Sequence, residues 1–328
     1  MRRNRAIEFS ALRIFATVAD SETLTHAAQR LGITQSAVSQ TIKHLEELTE
    51  VVLLVRRSRP IKLTPSGEVL QEYAQRALSE TNRILNDVKL ASSGSLSNLN
   101  VGMIDSFSDS LGLQFISEIK PLVSKVTLQT GLHVSLSEAL GNRDIDILYT
   151  SDRMHQHPHL TNRALIRDPF VAILPQAEVP EAGNARPDVA ALSRVLPFIH
   201  YLPSTRIGAQ TALVARRLGI ELNTQYELDS TQTLMRFVQA GYGWALISAM
   251  CLVRYPRLLE GVAVVNLDDG ANARVISQVT RKNELGDMPE TFATVARDLF
   301  RTEISPKLAR IADWLPEQAY AIDKMPSI

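Results

Sequence analysis

The stretch from Ala11 to Leu48 constrains the fold most, because three helical patterns follow one another in it with very short connections. In the third pattern Thr34 stands where a helix N-cap belongs, and its hydroxyl can accept a hydrogen bond from an amide of the first turn. Val38, Ile42 and Leu45 follow at helical spacing and are predicted to face the core. The other face carries short, amide-bearing or cationic side chains: Gln35, Ser36, Ser39, Gln40 and Lys43.

The preceding segment completes a helix-turn-helix pattern. Residues 25–31 are predicted to form a shorter helix in which Ala27 and Ala28 permit close helix crossing, and Gly32 can adopt the left-handed conformation that turns the chain. Such a motif places its second helix in the major groove, where amide and hydroxyl side chains read base edges. The predicted base readers are Gln35, Ser36, Ser39 and Gln40. The alternative is an ordinary three-helix core with a solvated polar face.

A cationic wing follows these helices. Two short β-prone runs, Val51 to Val55 and the residues up to Thr64, are joined by a tip rich in arginine. Guanidinium groups at such a tip can bind phosphate oxygens and so fix the position of a protein on the duplex. The predicted DNA-binding set is completed by Thr34, Lys43, Arg56, Arg57 and Arg59.

The charge distribution agrees with a nucleic-acid partner for this end of the chain. Residues 1–62 contain 10 Lys and Arg against 6 Asp and Glu, a net charge of +4, although the chain of 328 residues is neutral. A basic end on a neutral chain favours nucleic-acid binding there. The remaining residues, in a chain that is 45% hydrophobic, are enough for further compact units.

Cysteine content and hydropathy limit the other function classes. Cys251 is the only cysteine, which excludes an intrachain disulfide and a thiolate metal cluster. No apolar run approaches the roughly twenty residues of a membrane span, and the first residues lack the apolar segment of a signal peptide. We therefore expect a cytoplasmic protein with no membrane partner.

Several runs near the N-terminus coincide with a known family pattern: Phe15, His26-Ala27-Ala28-Gln29-Arg30-Leu31, Thr34-Gln35-Ser36-Ala37-Val38-Ser39-Gln40-Thr41-Ile42, Leu45-Glu46, Arg56-Arg57 and Leu63-Thr64-Pro65-Ser66-Gly67. With these residues the chain resembles the N-terminal domain of the LysR-type transcriptional regulators. The resemblance implies a winged helix-turn-helix domain over residues 1–64. The chain departs from the family pattern at residues 48–54, where Leu48-Thr49-Glu50-Val51-Val52-Leu53-Leu54 replaces the usual Glu-Leu-Gly turn and the wing phenylalanine. The departure concerns the joint between the recognition helix and the wing.

A long helix is predicted from Pro65 to about Ala91, because Thr64 is a cap followed by proline at the first helical position. Its seam residues alternate four and three apart, as in a coiled coil: Leu70, Ala74, Ala77, Thr81, Ile84 and Val88. We interpret this helix, residues 65–91, as a dimer arm, and in the resembled family it is the linker helix that dimerises. The alternative is an amphipathic helix packed within the chain. Small residues over 92–98 then predict a hinge.

From Leu99 onward short apolar runs alternate with helical stretches, which predicts an α/β fold with parallel sheets and ligands at the strand ends. Two similar halves are present, and the segment 275–280 is expected to return to the first half because it has no strand partner in the second. By resemblance, residues 99–308 are the family's effector-binding domain of periplasmic-binding-protein type. Subdomain I is predicted over 99–174 and 275–308, subdomain II over 175–274, and a C-terminal tail over 309–328.

Polar side chains at the predicted strand ends would line the cleft between these halves. The candidate ligand contacts are Ser106, Phe107, Thr130, Ser151, Asp152, Pro203, Ser204, Thr205, Ser230 and Thr231. Several precede helices, where hydroxyls and free amides favour an anion, so a small carboxylate is the expected effector. The alternative for the hydroxyl residues of the second half is that they only cap helices. Asp152 instead suits a ligand amine or hydroxyl.

Sequence motifs for catalysis or metal binding are weak. His155, His157 and His159 alternate on one segment, but no cysteine and only Asp152 accompany them, so a solvated loop is the preferred interpretation. No phosphate-binding loop and no Gly-x-Ser-x-Gly motif occurs. We predict a protein that is not an enzyme and has no cofactor and no metal.

Two function classes follow from these patterns. The first is a ligand-responsive, sequence-specific DNA-binding transcriptional regulator, and the second is a solute-binding or enzymatic α/β protein whose N-terminal helices serve only assembly. The combination of a polar recognition face and a cationic wing favours the regulator. Its expected partners are a double-stranded DNA operator, further copies of the chain in a dimer or tetramer, a small-molecule effector and, for an activator, RNA polymerase.

Overall fold

The structure, a computed structural model, describes residues 6–55, 58, 60–93, 95–152, 154, 157–179, 189–221, 223–267 and 271–323. The chain divides into two compact units. The first comprises Met1–Gly94 with Gly141–Asp144, and the second comprises Ser95–Leu140 with Ile145–Ile328. In the described ranges, no helix has both the length and the apolar character needed to cross a membrane.

The first unit is built on four helices: α1 (Phe9–Ala19), α2 (Leu24–Leu31), α3 (Gln35–Thr49) and α4 (Pro65–Ser93). Threonine caps begin α2 and α3, since the amide of Ala37 donates to the Thr34 hydroxyl at 3.2 Å and Thr23 caps α2 in the same way. Gly32 ends α2 with φ +68°, a left-handed conformation that suits glycine. The predicted cap at Thr34 and the predicted turn at Gly32 are both confirmed.

The core of the first unit collects the inward faces of these helices. Val38, Ile42 and Leu45 are buried together with Phe15 of α1, as the helical spacing predicted. Leu53, which follows α3, joins the same cluster. The apolar stripe of α3 is therefore fixed in the core, and its rotation determines which side chains face outward.

Glu46 and Glu50 form the joint between α3 and the wing. Glu50 ends α3 with φ +60°. The turn therefore has the left-handed backbone conformation that a glycine would favour, although the residue here is glutamate. The Glu46 carboxylate accepts hydrogen bonds from the amides of Leu53 at 2.8 Å and Leu54 at 3.4 Å. Leu54 then forms an antiparallel bridge with Leu63. The departure from the family's Glu-Leu-Gly pattern is thus compatible with a wing, and the predicted Arg56, Arg57 and Arg59 lie outside the described residues.

Helix α4 uses part of its predicted seam inside the first unit. Thr64 caps this helix, since its hydroxyl accepts from the Gly67 amide at 3.1 Å and donates to the Val52 carbonyl at 2.7 Å. Leu70 packs against the core cluster, helix α4 contacts α1, and Ala74 is fully buried in the single chain. This corrects the predicted seam, because a residue buried within its own chain is not available to a second chain.

Other apolar residues of α4 are exposed instead. Val69, Tyr73, Ile84 and Val88 are between 51% and 63% exposed. At 100° per residue these four positions fall within about a third of the helix circumference, so they form one stripe. We call this set the α4 stripe. Helix α4 continues to Ser93 and the next strand begins at Leu96, so the connection is shorter than the predicted hinge of residues 92–98.

The second unit is an α/β fold. Its strands are β1 (Leu96–Ile104), β2 (Val123–Gly131), β3 (Ile147–Thr150), β4 (Leu160–Pro175), β5 (Phe198–Tyr201), β6 (Thr224–Leu228), β7 (Ala245–Ser248), β8 (Val262–Asn266), β9 (Ala273–Arg281) and β10 (Tyr320–Ala321). Its α-helices are α5 (Asp105–Phe107), α6 (Leu113–Ile119), α7 (His133–Gly141), α8 (Val189–Val195), α9 (Arg206–Arg217), α10 (Thr231–Gln239), α11 (Ala249–Arg254), α12 (Met288–Leu299), α13 (Ser305–Ile311) and α14 (Leu315–Gln318). Residues 108–112 and 300–304 are π-helical, and residues 120–122, 176–178 and 256–259 are 3-10 turns.

Strands β4 and β9 cross between two subdomains. Strand β1 pairs parallel with β2 and β3, and β9 pairs antiparallel with β3 and with the first part of β4. From Phe170 onward β4 pairs instead with β7 and β8. The return of the segment 275–280 to the first half is therefore confirmed. We use subdomain I for the β1 to β3 side and subdomain II for the β5 to β8 side, with the change of partners near residue 170.

Each subdomain has its own apolar core. In subdomain I the rings of Phe107 and Tyr149 stack with centroids 4.6 Å apart, and Phe115 meets Tyr149 edge-on. In subdomain II Trp244 packs on Phe198 within a cluster that includes Leu246. Polar groups near the crossing strands also join the two subdomains.

Candidate functional site

The recognition face of α3 is polar and exposed. Gln35, Ser39 and Gln40 are exposed, and within the described residues their side chains have no hydrogen-bond partner. Ser36 is within 3.0 Å of the Thr34 hydroxyl, and Lys43 is 3.6 Å from Glu47. The first two turns of α3 thus present amide and hydroxyl groups on a helix that the core holds in place, as base reading in the major groove requires.

A buried ion pair lies where β4 and β9 cross. Arg274 Nε is 2.8 Å from Asp168 Oδ2, and the two residues are direct partners in the strand register. Arg274 Nη2 donates to the Ser106 hydroxyl of subdomain I at 2.8 Å. Asp168 Oδ1 accepts from the Met250 amide at the start of α11 in subdomain II, at 2.9 Å. We call Asp168 and Arg274 the crossing pair, because together they contact both subdomains.

Arg274 of the crossing pair remains charged although it is buried. Burial lowers the pKa of Arg274, and Asp168 is the main group that opposes this effect, through its charge and a hydrogen bond, so the pKa is raised on balance. Asp168 is wholly inaccessible to solvent. A buried charge keeps its ionised state only when a partner compensates it, so each member of the crossing pair depends on the other.

Further contacts join the subdomains next to the crossing pair. The Ser110 hydroxyl of subdomain I donates to the Met250 carbonyl at 3.3 Å, and Arg254 at the end of α11 forms an ion pair with Asp109. The π-helical segment 108–112 and α11 therefore form the polar contact between subdomains on this side.

A second, more exposed ion pair bridges the subdomains at the other strand ends. Asp152, just after β3 of subdomain I, lies 3.2 Å from Nη2 of Arg206, the first residue of α9 in subdomain II. The same Asp152 oxygen lies 3.3 Å from Nε2 of His133, and His133 Nδ1 lies 2.8 Å from the Thr150 hydroxyl. We call Asp152 and Arg206 the cleft pair. Their side chains are 27% and 47% exposed, so solvent and small anions can reach them.

His133 takes part in this arrangement as a neutral ring. Burial lowers its pKa, Asp152 partly opposes that effect, and Arg206 adds to it. Since the ordinary value is 6.5, the imidazole is neutral at pH 7. A carboxylate only accepts hydrogen bonds, so the proton lies on Nε2 facing Asp152, and Nδ1 accepts from Thr150.

The structure distributes the predicted ligand contacts unevenly. Ser106 is buried and bonded to Arg274, Ser151 is buried at the end of β3, and Thr130 is exposed at the end of β2. Phe107 is fully buried in the stack with Tyr149. This corrects the expectation for Phe107, because its ring belongs to the core of subdomain I and presents no surface to a ligand.

The hydroxyl residues of subdomain II are largely occupied as caps. Thr205 accepts from the Gly208 amide at 3.1 Å and donates to the Leu202 carbonyl at 2.7 Å, so its proton is already used. Ser230 accepts from the Thr233 amide at 3.3 Å, and the Thr231 hydroxyl lies 3.1 Å from the Tyr201 hydroxyl. Pro203 and Ser204 lie in the turn before α9, where Ser204 is exposed. The capping alternative therefore describes Thr205 and Ser230.

Sequence reasoning missed Arg206, His133 and Arg274. Arg206 begins a helix, where a cation opposes the helix dipole, and that unfavourable placement was the available signal. His133 also begins a helix, but its ring is neutral, so it gave no such signal. Arg274 gave no such signal, because its partner Asp168 is 106 residues away in sequence.

The alternating histidines do not assemble a metal site in the described chain. His157 and His159 have ring centroids 5.7 Å apart, and His155 lies outside the described residues. Among the residues that the structure describes, no group of three or more His, Cys, Asp and Glu side chains is placed to hold a metal ion.

Comparison with known proteins gives consistent matches over both units. The family model described as "Bacterial regulatory helix-turn-helix protein, lysR family" matches residues 9–68, and the model "LysR substrate binding domain" matches residues 92–301. The HTH-type transcriptional regulator CatR of Pseudomonas putida is 28% identical over 277 residues, covering 82% of this chain and 92% of CatR. BudR of Raoultella terrigena, also an HTH-type transcriptional regulator, is 27% identical over 246 residues, covering 74% of this chain and 84% of BudR. A full-length OxyR variant from Pseudomonas aeruginosa shares the fold, with a TM-score of 0.68 at 20% identity, over 89% of this chain and 98% of that one.

The dependence of the crossing pair on both charges can be tested by substitution. Asp168→Asn should lower the free energy of unfolding by about 3–5 kcal/mol, because Arg274 would stay charged in a dry site without a counter-ion. The double variant Asp168→Asn with Arg274→Met should recover much of that loss. Urea unfolding of the full chain, followed by tryptophan fluorescence, measures both. Asp298→Asn, which breaks an exposed pair with Arg301, is the control and should change stability by less than about 1 kcal/mol. A single variant at position 168 as stable as this control would contradict the dependence.

Proposed function

The chain belongs to the LysR family of DNA-binding transcriptional regulators, and we propose that it binds its operator as a homo-oligomer under the control of a small anionic effector. Membership of this regulator family rules out the alternative of an enzyme with a helical assembly module. The cleft pair supports the effector proposal, because Asp152 and Arg206 join the two subdomains by an ion pair in which an anion can replace Asp152.

The proposed operator contacts are the exposed polar groups of α3. Gln35, Ser39 and Gln40 have free, exposed side chains on a helix whose apolar stripe is fixed in the core, which supports direct base reading. Thr34, Ser36 and Lys43 flank them. We retain Arg56, Arg57 and Arg59 as proposed phosphate contacts from the sequence alone.

Substitution of a base reader should change sequence preference. Gln35→Ala or Gln40→Ala should reduce discrimination at one operator position by roughly 1–3 kcal/mol, if the amide pairs bidentately with adenine. Selection from a randomised operator library followed by sequencing measures that preference. Gln29→Ala is the matched control, because Gln29 is an exposed glutamine of α2 outside the recognition helix. Identical sequence preferences for Gln35→Ala and wild type would remove Gln35 from the reading set.

The proposed oligomer contact is the α4 stripe. Val69, Tyr73, Ile84 and Val88 are exposed apolar residues on one side of a helix 29 residues long, which is unfavourable unless a partner covers them. Of the seam predicted from sequence, Ile84 and Val88 belong to this stripe, whereas Leu70 and Ala74 do not. Ala77 and Thr81 are partly buried.

A charge in the α4 stripe should weaken self-association. Ile84→Lys would leave an unpaired ammonium in a contact that is otherwise apolar, so the oligomer should dissociate at concentrations where wild type remains assembled. Sedimentation velocity over a range of concentrations measures this. Val195→Lys places the same charge at a residue of the second unit that is 77% exposed, and it should sediment as wild type. If Ile84→Lys also sediments as wild type, the stripe is not the contact.

The effector is proposed to act by replacing Asp152 at Arg206. A carboxylate ligand can form the same charge-assisted hydrogen bonds with the guanidinium, and it would release Asp152 and the His133 ring behind it. Ser151 and Thr130 of subdomain I and Ser204, Thr205, Ser230 and Thr231 of subdomain II lie at the adjoining strand and helix ends. A ligand that exchanges an inter-subdomain contact changes the preferred angle between subdomains, and the coupling is of order 1–3 kcal/mol.

Loss of the Arg206 guanidinium should weaken effector binding. A thermal-shift screen of small carboxylates on the full chain identifies compounds that raise the melting temperature. For a compound found this way, Arg206→Gln should reduce affinity by about tenfold or more, because a charged hydrogen bond contributes roughly 1.5–3 kcal/mol. Arg216→Gln, an exposed arginine in the last turn of the same helix, is the matched control. Full affinity in Arg206→Gln would exclude the cleft pair as the anion site.

We also propose a cytoplasmic location, as the place where a bacterial regulator meets DNA. Contact with RNA polymerase is proposed only for the case in which the protein activates transcription.

A further inference from the structure

A cavity of about 890 Å³ lies in the second unit apart from the cleft pair. Its lining includes Val253, Leu259, Val264, Lys307, Arg310 and Ile311. None of the predicted ligand contacts and neither member of the cleft pair is among them. A volume between about 300 and 1,000 Å³ is typical of small-molecule sites, so the cavity is large enough for a ligand of its own.

Two different parts of the chain form its walls. Subdomain II contributes β8, the short helix at residues 256–259 and the end of α11, and the opposite wall is α13. Helix α13 lies beyond residue 301, where the match to the effector-domain model ends. The cavity therefore includes a segment outside the match to the effector-domain model.

The C-terminal segment that carries α13 is held on the crossing strands. Strand β10 pairs with β4 at Ile166 and Arg167, and the Ile322 amide donates to the Leu165 carbonyl at 2.7 Å. Gln318 Nε2 also donates to Asn266 Oδ1 of β8, at 3.2 Å. These contacts fix the position of α13 beside β8. The distance between these two walls of the cavity is therefore set by secondary structure.

The lining combines an apolar wall with two cations on one helix face. Val253, Leu259, Val262, Val264 and Ile311 provide the apolar surface. Lys307 and Arg310 are three residues apart on α13 and therefore lie on the same side of it. Lys307 is 3.8 Å from Glu303, whereas Arg310 has no hydrogen-bond or ion-pair partner in the part of the chain that the structure describes.

These features define the chemistry of a ligand. A free guanidinium at the edge of an apolar wall favours a molecule with an anionic head and an apolar body. Glu260 is the acidic residue of the lining, and its charge disfavours a second anionic group at the far end of the ligand. We propose that this cavity is a second ligand site that binds an apolar monocarboxylate, with the carboxylate at Arg310 and Lys307 and the hydrocarbon part along β8 and Leu259.

Octanoate is a suitable probe for the proposed site. Isothermal titration calorimetry of the full chain should detect octanoate binding, and octylammonium, which has the same chain with the opposite charge, should bind at least tenfold more weakly. Arg310→Gln should lower the affinity for octanoate at least tenfold, because the charge-assisted hydrogen bond is lost. Ala263→Phe should lower the octanoate affinity by a similar factor, because the phenylalanine ring would fill the space beside β8. Arg217→Gln, an exposed arginine of α9 outside the cavity, should bind as wild type.

A variant of the cleft pair tests whether octanoate binds in the cleft instead of the cavity. Arg206→Gln should leave octanoate affinity unchanged, so this site can fail or succeed independently of the proposed effector site. Absence of octanoate binding to wild type, equal binding of octylammonium, or unchanged affinity in Arg310→Gln and Ala263→Phe would each overturn the proposal. Loss of binding in Arg206→Gln but not in Arg310→Gln would place octanoate in the cleft and overturn it as well.

Discussion

The arrangement of the second unit depends on the crossing pair. Asp168 and Arg274 are direct neighbours on the two strands that pass between the subdomains, and their remaining polar atoms bond to Ser106 on one side and to the Met250 amide on the other. Removing either charge leaves the other buried without compensation. The pair therefore holds both subdomains to one point of the crossing strands, and any change in their relative angle must occur around it.

The cleft pair has the opposite energetic character. Asp152 and Arg206 are partly exposed, and exposed ion pairs contribute at most about 1 kcal/mol to stability. A contact of that size can be exchanged for a ligand without unfolding, whereas the crossing pair cannot. One inter-subdomain contact is thus permanent and the other is replaceable, which is the combination that a ligand-controlled angle requires. The cavity beside α13 gives subdomain II a second surface on which a ligand can act.

The features predicted correctly from sequence are local ones. The cap at Thr34, the left-handed Gly32 and the buried stripe of α3 each depend on residues within one or two helical turns. The errors concern partners distant in the chain: Leu70 packs on the core of the first unit, Phe107 stacks on Tyr149, and Arg206 forms an ion pair with Asp152. Residue spacing defines a helix face, but it does not define which surface covers that face. The long-range ion pairs could be found only once the fold had brought their strands and helices together.

We propose that an anion replaces Asp152 at Arg206 and thereby changes the angle between subdomains. Spin labels at Lys125→Cys on β2 and Gln225→Cys on β6 report that angle as a distance, and the native Cys251 is buried and so protected from labelling. Pulsed electron–electron double resonance on the full chain should show a shifted distance distribution between the two labels when the carboxylate from the thermal-shift screen is added. The same addition to Arg206→Gln should leave the distribution unchanged. An unshifted distribution in ligand-saturated wild type, or an equal shift in Arg206→Gln, would contradict the proposed exchange at Arg206.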